Sequence, residues 1–164
     1  MLARLPDLGG AGVRQPEDSG LNVEGVAWDP GAGALLFGLR GPVSPGHVRV
    51  VVVPVDAGGA RWTTACLGEP AMVSIGTPRP SAAQGIRDLS YGPRAGEFLR
   101  VLGRSAGRGD EPFRLCRWRP GEDTVRPFDV TFHRSAKPEG VTAFSTDGKR
   151  KILVVDDAGG YAIL

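Results

Sequence analysis

Three stretches of this chain repeat one pattern, in which a strand-like segment carrying an acidic residue comes shortly before a second apolar segment. The paired segments are 22–28 with 35–39, 86–91 with 98–102, and 138–144 with 152–155. Their acids, Glu24, Asp88 and Glu139, are 88 − 24 = 64 and 139 − 88 = 51 residues apart. Once a loop insertion is allowed, these intervals come close to the roughly 40–50-residue period of propeller blades. The repeat therefore predicts an all-β fold of blade-like units.

The distribution of glycine and proline also favours many short strands. The 25 Gly and 14 Pro residues stand between short apolar runs and are not gathered in one linker, as in all-β chains with frequent turns. Gly or Pro interrupts every apolar stripe at helical spacing, so we expect no helix longer than two turns. The predicted strands are 23–28, 34–39, 47–55 and 62–67, then 86–91, 97–102, 113–119 and 125–132, and finally 140–144, 151–155 and 161–164, with 68–85 a long connection that includes a short strand at 72–75.

The chain length limits how many blades can form. At about 45 residues per blade, 164 residues suffice for three to four blades, whereas closed rings usually carry about 4–8. We predict one domain over residues 1–164, a partial β-propeller-like array of about two and a half to three four-stranded blades. The blades are expected at approximately 20–84, 85–134 and 135–164, with residues 1–10 able to supply an outer strand.

The last predicted unit ends before a fourth strand. An incomplete blade leaves unpaired backbone groups along a strand edge, which β proteins must cover or blunt. Two kinds of partner would complete the array through such edges. One is a second copy of the chain, and the other is a set of upstream blades missing from it.

Composition excludes several classes of partner. The 20 Lys and Arg residues against 18 Asp and Glu residues give a net charge of +2, too small for the basic footprint of a nucleic-acid binder. No segment has the roughly 18–20 apolar residues of a membrane span, and the N-terminus lacks the long apolar run of a secretory signal. A cytoplasmic location is therefore the default prediction. Cys66 and Cys116 have no CxxC spacing, which favours structural thiols over a disulfide or metal site.

At this point the sequence resembles an uncharacterised bacterial family of β-propeller proteins. The resemblance rests on an N-x-E-G strand at 22–25, a G-(L/F)-R-x-P strand at 38–42, a Gly-Ile-Arg-Asp-Leu element at 85–89 and a K-P-E-G strand at 137–140. It covers about residues 20–164 and implies that the chain corresponds to the later part of a longer propeller. More distantly, the N-x-E-G element is similar to that of esterase-like and phytase-like propellers, through Asn22, Glu24 and Gly25.

The acids of the three repeats are the candidate chemical centre. The innermost strand of each propeller blade lines the central channel, so Glu24, Asp88 and Glu139 would point toward one axis. Three carboxylates there would suit Ca²⁺ or another hard cation. Without a cation they would need arginine partners, since close carboxylates raise one another's pKa and a guanidinium pairs with them bidentately. Arg40 and Arg87 are the arginines predicted to fill that role.

Three functions remain open on this evidence. The first is a ligand-binding or interaction scaffold for a small anionic ligand, with a polar channel mouth. The second is a metal-dependent phosphatase-like or esterase-like hydrolase that uses the acidic cluster, for which no catalytic residue can be named. The third is a truncated, inactive fragment. The predicted mouth residues are Asn22, Glu24, Arg40, Arg87, Asp88, Lys137 and Glu139.

Overall fold

The protein folds into three antiparallel sheets that follow one another along the chain. The computed structural model describes residues 5, 8, 10–16, 20–58, 61–105 and 111–164. The first sheet contains β1 Asn22–Asp29, β2 Ala34–Ser44, β3 His47–Pro54 and β4 Ala71–Gly76, in that order. The second contains β5 Gln84–Gly92, β6 Glu97–Arg104, β7 Arg114–Trp118 and β8 Arg126–Pro127 in order, and the third is β9 Pro138–Thr146, β10 Lys149–Asp156 and β11 Tyr161–Ile163, ordered β11-β10-β9.

This architecture confirms the predicted all-β fold, a partial propeller-like array. In each sheet the first strand is the innermost, and β5 packs against both β1 and β9. The first two sheets have four strands and the third has three. No helix among the described residues has the length and apolar character needed to cross a membrane.

Two strand predictions at the outer edge are wrong. The fourth strand of the first sheet is β4, not residues 62–67, which contain a 3₁₀ turn at Thr64–Cys66. The Thr63 hydroxyl caps that turn by accepting the Ala65 N–H, and capping by a local side chain competes with strand pairing. The outer strand of the second sheet is only Arg126–Pro127, because Pro127 has no N–H to donate to a ladder.

The sheets are joined by two apolar layers. The layer between the first and second sheets includes Leu36, Val50, Ile86 and Phe98, each at most 1 % exposed. A second layer, with Leu99, Val101 and Leu115 from the second sheet and Val141, Ile152 and Val154 from the third, joins those two sheets. The second sheet is thus buried on both faces, and seven of the eight residues of its strand β6 are buried.

The free face of the first sheet is covered in part by the N-terminal segment. Leu5 and Leu8 are buried against Leu39, Val51 and Val53. The outer strand predicted for residues 1–10 falls mostly outside the described residues. Where it can be followed, Leu8 has 3₁₀ geometry and donates its N–H to the Leu5 carbonyl, so it lies in a turn and not in a strand.

Candidate functional site

The innermost strand of each sheet carries a β-bulge near its beginning. The pairing with the second strand shifts by one residue between Val23 and Gly25, between Ile86 and Asp88, and between Pro138 and Gly140. The bulged residues are therefore Glu24, Arg87 and Glu139. A bulge re-aims the side chain of the extra residue, and here it gives the three strands one equivalent position. The predicted alignment of Asp88 with the two glutamates is wrong by one residue, since Arg87 occupies their position.

Arg87 lies between the two glutamates. Its Nε is 3.2 Å from Glu24 Oε2 and donates to Glu139 Oε2 at 2.9 Å, while its Nη2 pairs with Glu139 Oε1. Arg87 Nη1 also donates to the Arg104 carbonyl at 3.3 Å. The Arg87 side chain is only 10 % exposed, so one cation links the inner strands of all three sheets.

A second arginine completes the pairing of Glu24. Arg40 Nη1 donates to Glu24 Oε1 at 2.5 Å, and Asn22 Nδ2 donates to the same oxygen at 3.4 Å. Burial lowers the pKa of Arg87 from its ordinary value, and the negative charge of Glu24 opposes that shift. The structure thus brings together five of the predicted mouth residues: Asn22, Glu24, Arg40, Arg87 and Glu139.

Asp88 faces a different environment from the glutamates. Its Oδ2 accepts the Val141 backbone N–H at 2.6 Å, which connects β5 to β9. Burial raises the pKa of Asp88, and the backbone N–H groups of Val141 and Leu89 partly oppose that shift. Asp88 therefore serves as a link between two sheets and is separated in role from the Glu24–Arg87–Glu139 network.

The geometry does not support a shared cation site at Glu24, Asp88 and Glu139. Arg87 stands between the two glutamates, and Asp88 is engaged with the backbone of β9. Within the described part of the chain, no group of three or more His, Cys, Asp or Glu side chains is placed to hold a metal ion. Binding of Ca²⁺ by this protein stays a prediction. These residues do not form the metal-binding site that a metal-dependent hydrolase would need.

A polar pocket of about 600 Å³ opens beside Arg87. It is lined by Arg40 of β2 in the first sheet, by residues of the second and third sheets, and by the connection that leads into β9. Five cationic side chains line it against two acidic ones, Glu139 and Asp157. The cationic side chains are Arg40, Arg87, Arg104, Arg134 and Lys137.

Sequence reasoning identified only part of this pocket. Lys137 was predicted, and it lies at the pocket wall with its backbone N–H donated to Asp156 Oδ2. Arg104 and Arg134 were missed, because neither belongs to a repeated motif. The position of Arg104 in its strand could have indicated it, since Arg104 ends β6 on the side where β5 and β9 begin. Arg134 lies three residues before Lys137, in the connection to β9.

The two histidines show no catalytic arrangement. His133 Nδ1 is 2.7 Å from Ser135 Oγ and 3.3 Å from the Ser135 backbone N–H. This is a local turn between residues two apart, of the kind that polar side chains commonly form. His47 Nδ1 lies 3.2 Å from the Pro45 carbonyl on the exposed surface. Neither ring is oriented by a carboxylate among the described residues.

Comparison with known proteins gives a family but no activity. No curated protein and no solved structure matches the chain. The model of one family, described as "Protein of unknown function (DUF3616)", matches residues 13–162. That range takes in all three sheets except Ile163, the last residue of β11, and includes every residue of the polar pocket. The chain therefore belongs to the DUF3616 family of proteins of unknown function.

Proposed function

We propose that this protein is a binding scaffold that holds a small anionic ligand, a phosphate or carboxylate compound, in the polar pocket beside Arg87. One observation carries the proposal. Arg104, Arg134 and Lys137 line the pocket, and among the described residues no acidic side chain pairs with any of them. Three unpaired cations that converge on one cavity are the usual means of binding an anion.

The charges around the pocket also favour an anion over a cation. Its lining has five cationic and two acidic side chains, a local excess of +3. Glu24 lies behind Arg40 and Arg87 and reduces this excess to +2. The two glutamates are already bonded to arginines, so a ligand would meet Arg104, Arg134 and Lys137 first. The pocket volume of about 600 Å³ lies in the common range for small-ligand sites.

Isothermal titration with inorganic phosphate and pyrophosphate tests the proposal. We expect saturable binding, tighter for pyrophosphate because it carries more charge, and weaker as salt is added because the site is open to solvent. The double variant Arg104→Gln with Arg134→Gln should weaken pyrophosphate binding by roughly tenfold or more, since each arginine contributes charge-assisted hydrogen bonds.

A matched double variant separates site binding from general attraction to positive charge. Arg61 and Lys149 are exposed and lie outside the pocket. Arg61→Gln with Lys149→Gln also removes two positive charges, but from outside the pocket, and should leave pyrophosphate affinity within about twofold of the wild type. Equal losses in both double variants, or the absence of saturable binding in the wild type, would refute the proposed function.

We also propose that the protein acts in the cytoplasm. Both cysteines are free thiols, Cys66 half-buried and Cys116 buried. Free thiols are common where glutathione and thioredoxin keep cysteines reduced, which supports a cytoplasmic site of action. Labelling of the protein in fractionated cells tests this prediction, and recovery from an extracellular fraction would contradict it.

A further inference from the structure

Exposed apolar side chains gather at the two ends of the array. Of the nine large apolar side chains that are exposed in the described part of the chain, three belong to β1, three to the third sheet, and one, Leu164, directly follows β11. Those on β1 are Val23, Val26 and Trp28, and those on the third sheet are Val155, Tyr161 and Ile163. Exposed apolar patches of this kind mark interaction surfaces.

The packing between neighbouring inner strands shows how such faces are covered inside the array. Gly25 lies so close to β5 that a Cβ built on it would be 2.8 Å from Leu89 Cβ. Gly38, which pairs with Gly25 across the first sheet, is equally close to Ile86, with 2.6 Å from a built Cβ to Cγ2. The first sheet thus presents this pair of positions to the second sheet.

The bulges define which residues occupy the same positions at the two ends. Gly140 and its cross-strand partner Val155 follow the third bulge as Gly25 and Gly38 follow the first. No sheet follows them in the described chain. At the other end, Val26 and Val23 correspond to Leu89 and Ile86. Leu89 and Ile86 are 2 % and 0 % exposed, whereas Val26 and Val23 are 54 % and 40 % exposed.

We propose that a second copy of this chain covers both faces and closes a ring of six sheets. Gly140 and Val155 of each copy would pack on Val26 and Val23 of the other, as Gly25 and Gly38 pack on Leu89 and Ile86. A two-fold axis makes the two contacts identical, so the assembly closes. Six sheets lie within the usual range of about 4–8 blades.

The surroundings of the contact are compatible with this arrangement. Leu5 and Leu8 cover the outer part of the first sheet, so the contact falls on the inner strands, where Val23 and Val26 are open. The contact would also bring Glu139 near Glu24 of the second copy. Each of these carboxylates is already neutralised by an arginine, Arg87 and Arg40 respectively.

The molar mass of the purified protein in solution, measured by light scattering and by sedimentation equilibrium, tests the proposal. The chain has a mass of 17.2 kDa, so the ring has 2 × 17.2 = 34.4 kDa. We expect that mass at about 100 µM, a concentration at which a micromolar complex is assembled. A mass of 17.2 kDa there would overturn the proposal and leave these faces to sheets of a longer chain. A series of larger species would overturn it too, because it would indicate open head-to-tail chains.

Two charge variants test the head-to-tail geometry. Val26→Lys and Val155→Glu each place an unpaired charge in both contacts, so each variant alone should dissociate at least roughly tenfold more readily. Mixed together, the two variants form a pair with one native contact and one Lys–Glu contact, and the 34.4 kDa species should return. Failure of the mixture to reassociate, with both variants unfolding cooperatively, would overturn the geometry. Trp62→Lys changes an exposed apolar residue outside both faces and should remain dimeric.

Discussion

Arg100 offers the most direct test of the energetics of the array. It is fully buried in the layer between the first two sheets, and its Nε, Nη1 and Nη2 have no hydrogen-bond partner among the described residues. Its guanidinium stacks on Trp118, 4.3 Å from the ring centroid. The neighbouring Cys116 provides no counter-charge, because burial raises the pKa of its thiol to about 12. We predict that Arg100→Met makes the protein more stable.

The size of the effect follows from the cost of burying the charge. Burial lowers the pKa of Arg100 from 12.5 to about 9, and about 3.5 units at 1.36 kcal/mol each correspond to roughly 5 kcal/mol. The stacking of the Arg100 guanidinium on Trp118 stabilises the folded state by up to about 2 kcal/mol and so offsets part of this cost. The methionine side chain refills the space and keeps a sulfur–aromatic contact. We therefore expect the free energy of unfolding to rise by about 3 kcal/mol, within the range found when buried ions are replaced by apolar groups.

The pH dependence provides a second, independent signature. Because the pKa of Arg100 is lowered on folding, the unfolded chain holds more protons above about pH 9, and wild-type stability gains as pH rises through that region. By about pH 10 the gain amounts to roughly 1 kcal/mol. Arg100→Met has no titrating group at this position. The difference in free energy of unfolding between the variant and the wild type should therefore narrow between about pH 8 and pH 10.

Urea unfolding followed by tryptophan fluorescence measures both effects. The matched control is Arg117→Met on the neighbouring strand β7, where an exposed arginine stacks on Phe128 at 5.7 Å. That variant should change stability by no more than about 0.5 kcal/mol. An Arg100→Met protein that is no more stable than the wild type would refute the reasoning and indicate that Arg100 has a partner in solution.

Two further predictions concern the contacts between inner strands. Gly25→Ala should lower the free energy of unfolding by about 1–3 kcal/mol, since the new Cβ would collide with Leu89, whereas Gly12→Ala, which has open space around it, should have little effect in the same urea titration. Asp88→Ala should cost about 1–3 kcal/mol because it leaves the Val141 N–H without its acceptor. Asp88→Asn keeps an acceptor and should cost less. Its stability relative to wild type should improve as pH rises through the raised pKa of Asp88, and a pH-independent difference would contradict this account.

The sequence was a good guide to the inner strands and a poor one to the outer edge. Strands such as β3, with its run of valines, are specified by apolar β-branched residues that need burial. The outer positions carry weaker signals, so the Trp62–Leu67 segment looked like a strand although Thr63 caps a turn there. Edge pairing depends on the neighbouring sheets, as in the bridge between Gly76 and Thr124, which no local pattern contains.

The candidate site was predictable by residue type but not by register. Side chains alternate along a strand, so a bulge that adds one residue exchanges the positions of neighbours. Aligning acid with acid therefore placed Asp88 beside the glutamates, whereas the bulge puts Arg87 there. The absence of a repeat signal also hid Arg104 and Arg134, since a cavity between a sheet and a connection is assembled only by the tertiary fold.

The register has a chemical consequence for the pocket. Three acids at the bulge positions would have required a cation, but the charges of Glu24 and Glu139 are balanced by Arg87 at the third bulge position and by Arg40. Because Arg87 is saturated by two carboxylates and a carbonyl, it holds the three sheets together and has little capacity left for a ligand. The unpaired arginines at the pocket wall, Arg104 and Arg134, are consequently the groups on which anion binding depends. Substitutions of Arg87 should therefore lower chiefly the free energy of unfolding. Substitutions of Arg104 and Arg134 should lower chiefly the affinity for the anion.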